Sequence, residues 1–165
     1  MGWEDDHELV ASLARSAVAR TAADELPFFE LTAAGFLTGS ERARRTARKD
    51  EPLGFGGDAA LVLVSTAALT VTIDVLKQLS QYYSERLVQG AARRTRGWFR
   101  RRSTAAAAPA GVPLPRLSAV QIAELRELAY RRAKDAQVPD ASAALIADAI
   151  VGGIVTRSEA HDEQQ

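Results

Sequence analysis

Apolar residues recur at helical spacing along most of the chain. Leu9, Val10, Leu13, Ala14 and Ala17 mark a first helix from about Asp6 to Ala23, with acidic residues at its start where the helix dipole favours them. Pro27 suits the first turn of a second helix, to which Phe28, Phe29, Leu31 and Phe36 give an apolar face, and Gly39 and Ser40 end it. Glu41 to Asp50 is a charged turn, and Glu51 to Gly57 reads as a loop from its Pro and Gly content. Asp58 is placed to cap the longest element, whose apolar pattern runs from Ala59 to about Val88. Leu61, Val64, Ala68, Val71, Val75 and Leu79 form one stripe of it, and Thr66, Thr70, Asp74, Lys77 and Gln81 a polar one. Leu69, Val71, Ile73 and Val75 also alternate with Thr70, Thr72 and Asp74, as in a strand. Helix is the preferred reading, because no other segment offers a partner strand.

The second half begins after a break. Residues 103–116 (STAAAAPAGVPLPR) have linker composition. Ser118 and Gln121 form a capping box, with Leu117 and Ile122 placed for a hydrophobic staple. Ile122, Leu125, Leu128 and Ala129 face one way on the helix that follows. Val138-Pro139-Asp140 breaks the chain, with Asp140 placed to cap a last helix whose apolar face is Leu145, Ile146, Ala149, Ile150 and Ile154. The expected architecture is all-α: a helical bundle over 1–102 with a basic C-terminal end, a linker at 103–116, a helical hairpin at 117–157 and a disordered tail at 158–165. The hairpin is short for an independent fold and is expected to dock on the bundle or on a second copy.

Composition narrows the chemistry. The chain has 165 residues, of which 47% are hydrophobic, enough for one globular core. Cysteine is absent, which removes disulfides, thiol nucleophiles and thiolate metal sites. The two histidines, His7 and His161, stand near the chain ends. The acidic groups around them, Glu4 to Glu8 and Asp162-Glu163, read as solvated ends rather than metal sites. The carboxylates at positions 50, 51, 58, 74, 140 and 148 form no evident acid–base pair. Gly54 to Asp58 lacks the Gly-Lys-Ser/Thr ending of a phosphate loop. No catalytic residue, metal, cofactor or small-molecule substrate is expected. The acidic first residues are the reverse of a secretory leader, so the expected location is the cytoplasm or the inner face of the membrane.

Net charge is zero but unevenly spread. Residues 1–30 carry a net −5, whereas residues 86–116 carry eight Arg and no acid. Arg93, Arg94, Arg96, Arg100, Arg101 and Arg102 surround Trp98 and Phe99, a cluster suited to anionic lipid headgroups or to nucleic-acid phosphates. Its bland alternative is a solvated helix end paired with the acidic flanks. The 15 uncharged residues from Ala59 to Ile73 would span about 22 Å as helix, short of a bilayer core of about 30 Å. A core helix is therefore preferred. If the segment inserts, Leu61, Val64, Ala68, Val71, Asp74 and Val75 are the residues concerned, with Asp74 the costly one. Asp74 otherwise reads as a helix-surface residue near Lys77 and Gln78, and Asp148 as solvent-facing, with an Arg of the facing helix as its alternative partner.

The run AELRELAYRRAKDAQVPDASAALIADAIVGGI, within Leu117 to Ile154, resembles a C-terminal helical hairpin in uncharacterised small bacterial proteins. DEPLGFGGDAALVLV, Asp50 to Val64, resembles the middle of the same proteins. The likeness implies no activity and no site residues. The architecture alone is also similar to helical-bundle cell-death domains that permeabilise membranes. Two functions are expected: a non-enzymatic interaction or assembly module, binding a protein partner or itself, or a membrane-acting effector. Nucleic-acid binding is the weaker third.

Overall fold

The computed structural model describes residues 3–39, 63–94 and 114–162, with side chains described except at 85–94 and 161–162. Among these residues the chain forms five α-helices and no strand: α1 His7–Thr21, α2 Leu26–Thr38, α3 Leu63–Arg94, α4 Ala119–Asp135 and α5 Asp140–Asp162. Single 3-10 turns precede α1 (Trp3–Asp5) and α2 (Ala23–Glu25). The all-α bundle with a C-terminal hairpin is thus the observed architecture, and the segment from Leu69 to Val75 is helix, not strand.

Local signals set the helix ends. Asp6 caps α1, its Oδ1 accepting from the Leu9 N–H at 3.0 Å. Ser118 and Gln121 close a full capping box on α4. The stop of α4 is a Schellman arrangement. Gln137 N–H donates to Lys134 O and Val138 N–H to Ala133 O, with Gln137 at φ 62° and Val138 buried beneath it. Asp140 is the first residue of α5, but its carboxylate goes to the turn: it pairs with Lys134 and accepts from the Tyr130 hydroxyl.

Four helices close a ring in which α1 packs on α3, α3 on α4, α4 on α5 and α5 back on α1. Neighbours run antiparallel. Ser80 of α3 bonds Glu4 before α1, while Glu25 after α1 reaches Val64 and Ser65. Tyr82 reaches Glu124, and Asp74 reaches Arg132. Arg126 pairs with Asp148. With three reversals in succession, α5 must return antiparallel to α1, and Arg157 there donates to Ser12. This is the up-down-up-down plan of a four-helix bundle. Helix α2 lies outside the ring against α1 and α3.

One core runs through all of it. Leu13, Phe29, Leu69, Leu76, Leu125, Ile146 and Ile150 are fully buried members of a single cluster. The sequence separates a bundle from a hairpin, but the hairpin supplies two of the four walls. The expected tail also differs: α5 continues to Asp162, and Ser158 is buried with its hydroxyl bonded to the Val155 carbonyl. The linker region lies outside the described residues up to position 113, and Leu114 is already packed into the core.

Candidate interaction surface

Helix α3 is the central element. Ala67, Ala68, Leu69, Val71, Thr72, Ile73, Val75, Leu76 and Leu79 are all buried, far more of its circumference than one stripe. Buried Thr72 returns its hydroxyl to the Ala68 carbonyl at 2.7 Å, which lets a polar residue sit in the core. The start and the middle of this helix are tied by distant carboxylates. Glu25, only 5% exposed, accepts from the Val64 and Ser65 N–H groups at 3.0 and 2.6 Å. It serves as the cap for donors that a helix start leaves unpaired. Glu4 accepts from Ser80 at 2.8 Å, and Trp3 beside it is buried edge-on to Tyr83 with ring centroids 5.3 Å apart.

The proposed membrane-inserting residues are thereby placed. Ala68, Val71 and Val75 are core, Val64 is half-buried at the Glu25 contact, and Leu61 lies outside the described residues. Asp74 is not a plain surface group. It forms an ion pair with Arg132 at 3.2 Å across the α3–α4 interface, with both contacting atoms withdrawn from solvent. Among the described residues the helix long and apolar enough to cross a membrane is α5, over Asp140–Ala160 with mean hydropathy 1.3, and not α3. Asp148 on α5 is partly exposed, and it is also paired with Arg126 at 2.6 Å, so the two readings of it hold together.

For the basic cluster, Arg93 and Arg94 close the described part of α3, while Arg96, Trp98, Phe99, Arg100, Arg101 and Arg102 lie outside it. With 32 residues, α3 is about 48 Å long, against about 22 Å for the 15 residues of α1. Because Trp3 sits against Tyr83, the last turns of α3 run past the start of α1. The described backbone of α3 therefore continues beyond the Trp3–Asp5 turn, which carries Glu4 and Asp5.

Helix α2 forms where the sequence predicts it, but its single apolar face is split. Phe28, Phe29, Leu31 and Phe36 do not share a face. Phe29, Ala33, Phe36 and Leu37 point into the core, whereas Phe28 and Leu31 are 50% and 73% exposed. The outward stripe is Phe28, Leu31, Gly35 and Thr38, at spacings of three, four and three. Polar groups do little to relieve it. Thr32 and Thr38 donate their hydroxyls back to the Phe28 and Ala34 carbonyls, and Glu30, the helix's one charge, pairs with Arg15 of α1 at 3.5 Å. A shallow groove of about 570 Å³ lies between α1 and α2, lined by Glu8, Ala11, Arg15, Ala19, Leu26 and Glu30, and at helical spacing Leu26 and Glu30 are on the side of α2 away from the stripe. The signal was in the sequence as two interleaved apolar stripes on one 13-residue helix, too many for a helix covered on one side.

A second groove, of about 400 Å³, lies between α4 and α5 over Ala119, Ile122, Ala123, Tyr130, Ala144 and Ala147. At the hairpin turn, the hydrogen bond from Lys134 holds the Asp140 carboxyl below its ordinary range, helped by the charge of Lys134 and by Tyr130; the same bond to Asp140 raises Lys134. Both groups are solvated, and this cluster braces the turn. Among the described residues no three His, Asp or Glu side chains gather as a metal site requires. No protein-family model, curated protein or solved structure matches the chain.

Proposed function

We propose that the chain is a non-enzymatic helical interaction module whose partner-facing element is α2. One observation carries this reading. A helix with a finished inner face holds Phe28 and Leu31 out to water, on a side where the threonine hydroxyls are turned into the backbone. Exposed apolar clusters on a folded surface mark contact sites. The test is capture from the protein's own cells by the native chain and by a Phe28→Asp/Leu31→Asp variant. Loss of the captured proteins in the variant, with its helical signal intact, supports the reading. Capture that ignores the two substitutions ends it.

A second reading is a membrane-acting effector, and α5 is the element that favours it, through its length and apolar composition. Its apolar side chains Ile146, Ile150 and Ile154 are core residues, so insertion would require α5 to leave α1 and α4. Leakage of vesicles containing phosphatidylserine, abolished by Ile150→Asp, would support this reading; intact vesicles at low salt would remove it.

A further inference from the structure

We infer that the outward face of α2 takes a second copy of the same chain, as an antiparallel helix pair about a two-fold axis. This rests on the reading of α2 as the partner-facing element and names the partner. The spacing of the stripe suits such a pair. Phe28, Leu31, Gly35 and Thr38 alternate by three and four, the seam along which two helices pack side by side. Size supplies the second step. The large residues occupy the first half of the stripe and the small ones the second. A two-fold axis between Leu31 and Gly35 sets Phe28 opposite Thr38 of the other copy, and Leu31 opposite its Gly35. Each knob then meets a gap, as isologous packing demands. Gly35 is exposed, and a Cβ there would meet nothing within 4 Å. Among the described residues of one copy nothing crowds that position, and in the pair the gap receives Leu31.

Charge favours a copy over lipid. The helix has no basic residue, and its single carboxylate, Glu30, is neutralised by Arg15 of its own copy. Two such faces meet without an unpaired like charge. An interfacial membrane helix instead flanks its apolar side with Lys or Arg, which α2 lacks. Area sets the strength. A 13-residue helix is about 20 Å long, and a pair of them buries on the order of 1,000 Å², the lower limit for a specific interface. The pair is accordingly weak and reversible, with a dissociation constant on the order of 10 μM.

Sedimentation equilibrium of the full chain across concentration tests this. The native chain passes from monomer to dimer. Leu31→Asp raises the midpoint by about a hundredfold or more, since it would bury an unpaired carboxylate. Gly35→Leu fills the gap and does the same while leaving the monomer's thermal melt unchanged or raised. The absence of cysteine makes a second readout direct. Leu31→Cys is joined into dimers by a short bis-maleimide, whereas Arg131→Cys, on the exposed side of α4, is not. A dimer indifferent to Leu31→Asp and Gly35→Leu overturns the assignment. So does a chain that binds phosphatidylserine vesicles through Leu31 without dimerising. A chain monomeric throughout also overturns it; if Phe28→Asp/Leu31→Asp still abolishes capture from cells, the broader interaction reading survives.

Discussion

Helices α2 and α3 invert the usual relation between composition and burial. Helix α3 carries Ser65, Thr66, Thr70, Thr72, Asp74 and Ser80 within its middle, yet most of its circumference there is covered. Helix α2 has one charged residue and leaves Phe28 and Leu31 in water. Position in the bundle decides the outcome. Helix α3 touches α1, α2 and α4, so it needs cover on three sides, and its Thr70 and Thr72 hydroxyls satisfy themselves within the helix while Ser80 donates to Glu4. Helix α2 sits outside the ring and, among the described residues, finds its neighbours α1 and α3 on one side. The ring helices leave Leu63, Val120 and Leu145 exposed one to a helix, whereas the peripheral helix exposes Phe28 and Leu31 together, which makes it the candidate contact.

The comparison can be broken most directly by truncating one leucine from each helix. Leu76→Ala, in the middle of α3, is expected to cost about 3–5 kcal/mol in urea unfolding, through lost burial and the cavity left behind. Leu31→Ala on α2 should stay within about 0.5 kcal/mol when measured below the association range. Equal costs would mean that α2's outer face is already covered within one chain. Next in size is Glu25→Ala, which strands two N–H donors at the start of α3 and should cost about 2–3 kcal/mol. An unchanged melt would show that the cap is dispensable.

Asp74 adds to the same contrast, because α3 has a largely buried charge to compensate where the one charge of α2, Glu30, is exposed. Asp74→Leu alone leaves the Arg132 guanidinium only its longer contact to Asp135, at 3.7 Å, at a half-buried interface and should cost about 1–2 kcal/mol. Asp74→Leu combined with Arg132→Met should recover most of that loss; a double variant as weak as the sum of its parts would deny the pairing its role. The smallest effect lies at the α4–α5 turn. The folded Asp140 carboxyl is lowered, so its contribution is present above the unfolded value and disappears as pH falls through the folded one. Lys134 is raised, so its share persists below its unfolded value and is lost as pH rises through the folded one. Asp140→Asn should therefore flatten the acid limb of the stability profile slightly and leave neutral stability nearly unchanged.

What could be read from the chain divides by distance along it. The Asp6 cap, the Ser118–Gln121 box, Pro27 in the first turn of α2 and the break at Pro139 involve residues within a few positions of one another, and each signal has a local cause. The all-α fold followed from the same periodicity. Links between distant residues were hidden. Glu25 meets Ser65 across 40 positions, Tyr82 meets Glu124 across 42, and Arg157 meets Ser12 across 145. No spacing rule connects such groups, because only the order of helices around the ring brings them together. The outward stripe of α2 lies between these cases. Its residues are neighbours, but which of two apolar stripes faces outward depends on how α1 and α3 are arranged beneath it.

Closure of the ring by α1 and α5 has a mechanical consequence. Arg157, near the end of α5, is joined to Ser12 in the first half of α1, and Leu13 fits tightly against Gly153. The two helices run antiparallel, so the first and last described residues emerge side by side. A force drawing them apart loads this seam at its tip, where contacts part a turn at a time, and not along its length, where all would have to slide at once. Tension through the chain ends would therefore unzip the first and last helices at modest load. A fusion that keeps those ends together would place no strain on the bundle.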